Sequence, residues 1–135
     1  MAKLHLEVVT PEKVMVSEDV EIVVAPGSLG EFCVLEGHVP FLSGILPGEL
    51  RYTSGGRTER FSVSTGFAEV SNDRVSVLVD AAEKAGDIDM ERAQKAAERA
   101  RERLAKDRSE DIDFLRAEAG LKRAIMRIKV AEKGT

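Results

Sequence analysis

Arginines in the last third of the sequence recur at a spacing that matches the turn of an α-helix. They fall into two sets, which are Arg92, Arg99 and Arg103, and then Arg116, Arg123 and Arg127. At about 100° per residue, each set lies within roughly 40° on one side of a helix. The guanidinium group binds phosphate and carboxylate through paired hydrogen bonds. The pattern therefore indicates either a site for a polyphosphate or acidic protein surface, or a solvated face screened by salt.

Residues suited to catalysis are few. The two histidines are His5, in a predicted strand, and His38, in a glycine-rich loop, and Cys33 is the single cysteine. Cys33 is expected to be a small buried hydrophobe between Phe32 and Val34 rather than a reactive thiol. The sequence contains no Gly-x-Ser-x-Gly, Walker, His-Glu-x-x-His or Cys-x-x-Cys motif. We therefore expect no catalytic residues, no metal site and no cofactor.

The arginines are expected on two helices that form an antiparallel hairpin. Apolar spacing changes from a period of 2 to 3.6 after Gly86, and Asp87 is the expected N-cap of the first helix. The apolar seam of this helix is Ala93, Ala97, Ala100 and Leu104. The second helix, capped by Ser109 or Asp111, carries a seam of Phe114, Ala117, Leu121, Ala124, Ile128 and Ala131. Each arginine set lies about 110° from its seam in the same rotational sense, so antiparallel pairing brings all six to one side.

This hairpin is expected to be weakly held. Alanine seams bury little apolar area at about 25 cal/mol per Å². Gly120, inside the second helix, costs about 1 kcal/mol relative to alanine. A helix pair of this kind can undock or extend at modest cost, as a conformational switch requires.

The first 86 residues are predicted to form short antiparallel strands in a sandwich or small barrel. Leu4, Leu6 and Val8 alternate with polar neighbours, and DVEIVVA places Val20, Ile22 and Val24 on one face. Hairpin turns are predicted at Ser54-Gly55-Gly56 and at Ser71-Asn72-Asp73. Residues 27–50 form a glycine-rich but apolar stretch, which indicates either a packed loop or one that faces a partner.

The charge distribution also divides the chain at Gly86. Residues 1–86 carry 7 basic and 13 acidic side chains, whereas residues 87–135 carry 13 basic and 11 acidic ones. The net charge of −4 argues against general nucleic-acid binding. No apolar run is long enough to cross a membrane, the N-terminus lacks signal-peptide features, and a single cysteine fits a reducing compartment.

Three stretches together resemble the epsilon subunit family of the F-type ATP synthase. LHLEVVTPEKVMVSEDVEIVVAPGSLGEF is similar to the opening strands of that family, and EGHVPFLSGILPGEL to its Pro-Gly-His-Ala-Pro segment. STGFAEVSNDRVSVLVDAAEKAGDID is similar to its Gly-Gly-Phe-x-Glu-Val stretch. The resemblance covers nearly the whole chain. It implies an α+β protein with an antiparallel β-sandwich of about ten strands in residues 1–86 and a helical hairpin in residues 87–135.

The resemblance also implies a function and partners. The chain would be a non-catalytic rotor subunit of a proton-transporting two-sector ATPase, coupling proton flow to ATP synthesis. The sandwich would bind the gamma subunit and the c-ring, with Glu31 and His38 at loop positions that face those partners. The regulatory hairpin, when extended, would inhibit ATP hydrolysis by bringing Arg103, Arg116, Arg123 and Arg127 to an acidic loop of the beta subunit. The implied location is the cytoplasmic face of the bacterial inner membrane, as a peripheral subunit that meets the membrane only through the complex.

A narrower resemblance concerns nucleotide binding. Ile88-Asp89-Met90-Glu91-Arg92-Ala93 is similar to the Ile/Leu-Asp-x-x-Arg-Ala motif that binds ATP in some bacterial members of the family. It implies ATP as a regulatory ligand held by Glu83, Asp89, Arg92, Arg99, Arg123 and Arg127. The alternative is a simple helix start with a solvated Arg92.

Two rival functions remain open from sequence. One is a free-standing ATP-binding sensor or adaptor module outside any rotor, and the other is a hydrolase on a β-barrel. The second lacks a nucleophile and base, and the first is distinguished by whether the chain co-purifies with a gamma-like partner.

Overall fold

A computed structural model describes residues 4–106 and 111–134 of the chain. The chain divides into two compact units, Met1–Lys84 and Ala85–Thr135. In the described residues, no helix is long and apolar enough to cross a membrane.

The first unit is built from ten β-strands. They are β1 (Leu4–Val9), β2 (Val14–Val20), β3 (Ile22–Gly27), β4 (Gly30–Val34), β5 (Phe41–Ile45), β6 (Gly48–Ser54), β7 (Arg57–Val63), β8 (Gly66–Ser71), β9 (Arg74–Val79) and β10 (Ala82–Lys84). Pairing follows the order β10-β7-β6-β3-β5-β8-β9-β1-β2, and β4 pairs with β3. The predicted ten-stranded sandwich is confirmed, although β1 and β9 are parallel rather than antiparallel. In this pairing β1 lies between β2 and β9, a strand from far along the chain.

Alternating side chains build one apolar core between the strands. Leu4, Leu6 and Val8 of β1 are fully buried, as predicted, and Val75 and Val77 of β9 lie in the same core. This period-2 burial explains why the polar neighbours along β1 face outward.

Two predictions about this core are wrong. Ile22 and Val24 do not share the buried face of Val20, because β2 ends at Val20 and a new strand begins at Ile22. The break at Glu21 shifts the alternation by one residue, so Val23 is buried instead. Cys33 is exposed rather than buried, because its neighbour Val34 occupies the inward position of β4.

Both predicted hairpin turns are confirmed. Gly55 and Gly56 join β6 to β7 with φ values of 58° and 79°, a conformation that favours glycine. Asn72 and Asp73 join β8 to β9 with φ values of 50° and 59°. Asn and Asp tolerate this left-handed region better than other side chains that carry a Cβ.

In the described residues, the second unit begins with a 3-10 turn (Ala85–Asp87), which is followed by α1 (Met90–Lys106) and α2 (Asp111–Lys133). The N-cap predicted for the first helix is wrong, because the observed cap lies two residues later. Asp87 lies in the 3-10 turn, and Asp89 caps α1 by accepting a hydrogen bond from the backbone N–H of Arg92 at 3.0 Å. Of the two predicted caps of the second helix, Ser109 lies outside the described residues, and Asp111 is the first residue of α2.

The helical seam is largely as predicted. The buried residues are alanines on both helices, namely Ala93, Ala97, Ala100, Ala117, Ala124 and Ala131. Leu104, Leu121 and Ile128 are only half-buried, and the side chain of Phe114 lies outside the described residues. One buried residue of α2, Val130, does not belong to the predicted seam.

Candidate functional site

The arginine face of the hairpin consists of Arg92, Arg99, Arg103, Arg116, Arg123 and Arg127. All are exposed except Arg127, which is half-buried. Because the buried alanines of α1 and α2 face each other, the helical offset places both sets of three on one side of the hairpin. Within each helix the outermost arginines are 11 residues apart, which corresponds to about 16 Å along the axis.

Among the described residues, glutamates form ion pairs with two lysines of the hairpin, whereas most of these arginines form no such pair. Lys95 pairs with Glu91 at 3.2 Å and Lys122 with Glu118 at 3.5 Å, each within one helix turn. Within residues 4–106 and 111–134, the ion pairs include none made by Arg92, Arg99, Arg103, Arg116 or Arg123. Like charges gathered on one face repel one another. A multivalent anion bound at this face would relieve that repulsion, so the face is suited to binding anions.

The open end of the hairpin brings the beginning of α1 to the end of α2. Met90 and Met126 pack on the same apolar cluster, and Arg92 and Arg127 follow them by two residues and one residue. Small alanine seams allow helix axes to approach to about 8 Å. Arg92 and Arg127 therefore lie at the same end of the hairpin.

The two acidic residues of the predicted nucleotide site, Asp89 and Glu83, lie in different units. The Asp89 carboxylate is engaged as the cap of α1, so its direct effect is to fix the helix start that carries Arg92. Glu83 belongs to the first unit, where it lies half-buried on β10 opposite Ser62 of β7.

Glu31 lies on β4 and forms a bidentate pair with Arg51. The two guanidinium nitrogens donate to the two carboxylate oxygens at 3.1 and 3.2 Å. These hydrogen bonds raise the pKa of Arg51 above its ordinary value. Arg51 also lies 4.0 Å from Glu49, which in turn pairs with Arg60 at 3.4 Å. Glu31 is thus an oriented carboxylate on an exposed strand.

His38 lies in the loop between β4 and β5, where its side chain is half-buried. Its Nδ1 donates a hydrogen bond to the carbonyl oxygen of Val39 at 2.6 Å, and its ring packs edge-on against Phe41 at 5.9 Å. The Asp73 carboxylate accepts a hydrogen bond from the backbone of Gly37 at 2.7 Å. The loop is therefore held in place, and it exposes Leu35 and Val39 to solvent. The stretch predicted to be packed or to face a partner thus exposes some of its apolar residues, while Val34, Ile45 and Leu50 of the same stretch are buried.

A second exposed apolar surface was not found from the sequence. Phe67 pairs with Leu78, Leu78 with Val9, and Val9 with Val14, so the four form a row across β8, β9, β1 and β2. We call them the apolar row. Phe67 is 64% exposed and Leu78 is 54% exposed. The sequence did contain a signal for this surface. In VSVLV the apolar and polar residues should alternate, but Leu78 is a large apolar residue at an outward position.

No group of three His, Cys, Asp or Glu side chains among the described residues is arranged to hold a metal ion. His5, on the outer face of β1, lies between Asp19 at 2.9 Å and Glu7 at 3.5 Å. The chain therefore presents an arginine-rich face on one unit and exposed apolar surfaces on the other.

Comparison with known families matches both units. Residues 3–85 match the family described as ATP synthase, Delta/Epsilon chain, beta-sandwich domain. Residues 87–132 match the one described as ATP synthase, Delta/Epsilon chain, long alpha-helix domain.

Individual proteins show the same likeness along the full chain. The ATP synthase epsilon chain of Syntrophobacter fumaroxidans is 53% identical over 131 residues, covering 97% of each chain. That of Nitratidesulfovibrio vulgaris is 52% identical over 127 residues, covering 94% of each. A chain in the cryo-EM structure of the Euglena gracilis mitochondrial ATP synthase OSCP/F1/c-ring assembly matches with a TM-score of 0.83 at 25% identity. The match covers 93% of this chain and 79% of that one.

Proposed function

This chain belongs to the delta/epsilon family of ATP synthase subunits, and from that premise we propose that it couples proton flow to ATP synthesis and restrains ATP hydrolysis as a subunit of the central stalk. As a member of this family it is an accessory subunit and not a catalytic one. The family membership predicted from the sequence is confirmed.

The observation that carries the restraining role is the arginine face. Five exposed arginines lie on one side of a hairpin whose seam between the two helices consists mainly of alanines. When the hairpin extends, Arg103, Arg116, Arg123 and Arg127 reach an acidic loop of the beta subunit and pair with its carboxylates. Arginine suits this contact because its planar group pairs with carboxylates through two hydrogen bonds.

The sandwich anchors the subunit. The apolar row binds the gamma subunit, because an exposed apolar surface on a folded unit is best stabilised by a protein partner. Glu31 and His38 face the gamma subunit and c-ring. Their support is the oriented carboxylate of Glu31 and the exposed apolar loop around His38.

ATP is the proposed regulatory ligand of the folded hairpin. Arg92 and Arg127 at the open end bind the triphosphate, with Arg99 and Arg123 farther along the face. Asp89 fixes the start of α1, and Glu83 belongs to the proposed set through the family resemblance alone. A bound triphosphate offsets the repulsion between the two helices and holds the hairpin closed, so that high ATP favours the state that does not inhibit.

The complex places the subunit at the cytoplasmic face of the bacterial inner membrane, where it is peripheral. It contacts the membrane only through the complex, and the c-ring supplies that link.

Reconstitution of the synthase tests the regulatory role. We compare complexes that carry the full chain, the chain without residues 87–135, and a chain with Arg103, Arg116 and Arg123 each changed to glutamine. Both altered chains are expected to assemble and to release ATP hydrolysis from inhibition. A chain with Lys95→Gln and Lys122→Gln is the control, because both lysines are already paired with glutamates. Unchanged hydrolysis in both altered complexes would remove the inhibitory role. Failure of the full chain to bind a gamma subunit would instead favour a free-standing adaptor.

A further inference from the structure

The 3-10 turn that precedes α1 packs against the last turns of α2. Ala85 and Ile88 form one buried cluster with Val130 and Ala131, and Met90 and Met126 pack against it. This cluster lies at the open end of the hairpin, away from the predicted turn between the helices. We call Ala85, Ile88, Val130 and Gly134 the latch.

The latch contains the larger buried side chains of the hairpin. The seam between α1 and α2 buries alanines, each of which has a single methyl group. Val130 is 1% exposed, and among the described hairpin residues it is the one large side chain that is almost completely inaccessible. Because apolar stabilisation grows with the area removed from water, the latch contributes more per residue than the seam.

Gly134 permits this contact. A Cβ built on Gly134 would overlap the Cβ of Ala85, so any larger residue there would displace the 3-10 turn. The backbone N–H of Gly134 donates to the carbonyl oxygen of Val130 at 3.0 Å, which continues the helical turn. Glycine is therefore required here by close approach, since its φ does not lie in the left-handed region.

We infer that the latch, more than the alanine seam, holds the hairpin closed, and that α2 leaves its folded position only after the latch opens. The claim that the latch stabilises the closed hairpin depends only on these contacts. The further claim that the latch controls ATP hydrolysis rests on the proposed function. Met90 and Met126 lie next to Arg92 and Arg127, so a polyanion held by those arginines stabilises the same end.

Two glycine-to-alanine changes in one helix test the inference. In the full-length chain, Gly134→Ala should speed hydrogen exchange of the amides of residues 121–133 at least about fivefold, because the added methyl group overpacks the contact. Gly120→Ala is the matched control, because the nearest atom to its added Cβ is a side-chain nitrogen of Arg123 at 3.7 Å. It should slow the same exchange by up to about fivefold, since alanine is the better helix former.

Val130→Ala provides an independent variant, which should also speed exchange because it leaves a cavity in the latch. The inference is overturned if both glycine changes slow exchange alike, since helix propensity alone would then decide stability. It is also overturned if exchange rises equally in β6 and β7, because the latch lies wholly within the second unit.

Hydrolysis by the reconstituted synthase separates the latch from the proposed function. If the latch controls inhibition, Gly134→Ala should lower ATP hydrolysis relative to wild type and Gly120→Ala should not. Faster exchange with unchanged hydrolysis would support the latch as the closure of the hairpin and contradict the inhibitory role.

Discussion

Replacing Phe67 with serine should weaken binding of the sandwich to the gamma subunit. Phe67 is 64% exposed on β8 and pairs with Leu78 in the apolar row. Because its ring points away from the core, the substitution removes a docking surface and leaves the packing inside the sandwich intact.

The magnitude follows from the exposed area of the ring. A phenylalanine side chain offers roughly 150–250 Å², so the exposed 64% amounts to on the order of 100–160 Å². At about 25 cal/mol per Å², full burial in the complex stabilises binding by about 2–4 kcal/mol. The dissociation constant should therefore rise by roughly a hundredfold.

Isothermal titration of the gamma subunit into the full chain measures this change. The control is Leu115→Ser, because Leu115 is 62% exposed but lies on α2 of the hairpin. Thermal unfolding of both variants should match that of wild type, which shows that the fold is retained. Equal dissociation constants for Phe67→Ser and wild type would refute the assignment of the apolar row to this partner.

Three further changes test other parts of the structure. Arg92→Ala should weaken ATP binding by about 1.5–3 kcal/mol, the range for hydrogen bonds to charged groups, and Lys95→Ala should not. Isothermal titration measures the ATP affinity of both variants. Equal losses of affinity would mean that ATP binding responds only to the net charge of the helix and not to Arg92 in particular. Asp89→Ala should destabilise the start of α1 by about 1 kcal/mol because the cap is lost, and unchanged amide exchange there would contradict that role. Leu50→Ala, in the core, should lower the free energy of unfolding by about 2–5 kcal/mol, whereas the exposed Leu42→Ala should change it by less than about 0.5 kcal/mol. Urea unfolding compares the two, and similar losses would be inconsistent with the assigned core.

Local signals were enough to locate most of the regular structure. The change of apolar period predicted strands followed by helices, and both two-residue turns carry residues that accept positive φ, such as Gly55 and Asn72. These predictions succeeded because turn conformation and alternation depend on neighbours within a few residues. The alanine seam of α1 was predictable for the same reason.

The errors occurred where the chain changes direction. Ile22 and Cys33 were assigned to the wrong face because a strand break at Glu21 and the alternation of β4 decide which side is buried. Asp87 was taken as the cap of α1, but a 3-10 turn delays the helix and gives that role to Asp89. A one-residue shift is enough to reverse the facing of a strand, and sequence patterns rarely fix a boundary that finely.

The sequence by itself determined the family, the two classes of secondary structure and the arginine face, because each depends on residue types at regular local spacing. Only the tertiary structure decided that Phe67 and Leu78 join Val9 in one exposed row, since their strands come from distant parts of the chain. It also decided that Val130 packs on the 3-10 turn at Ala85. Helical periodicity cannot anticipate such a contact, because it arises when a segment 45 residues earlier in the chain folds back onto α2. Long-range contacts of this kind are set by how the elements pack, and a pattern read along the chain contains only their local part.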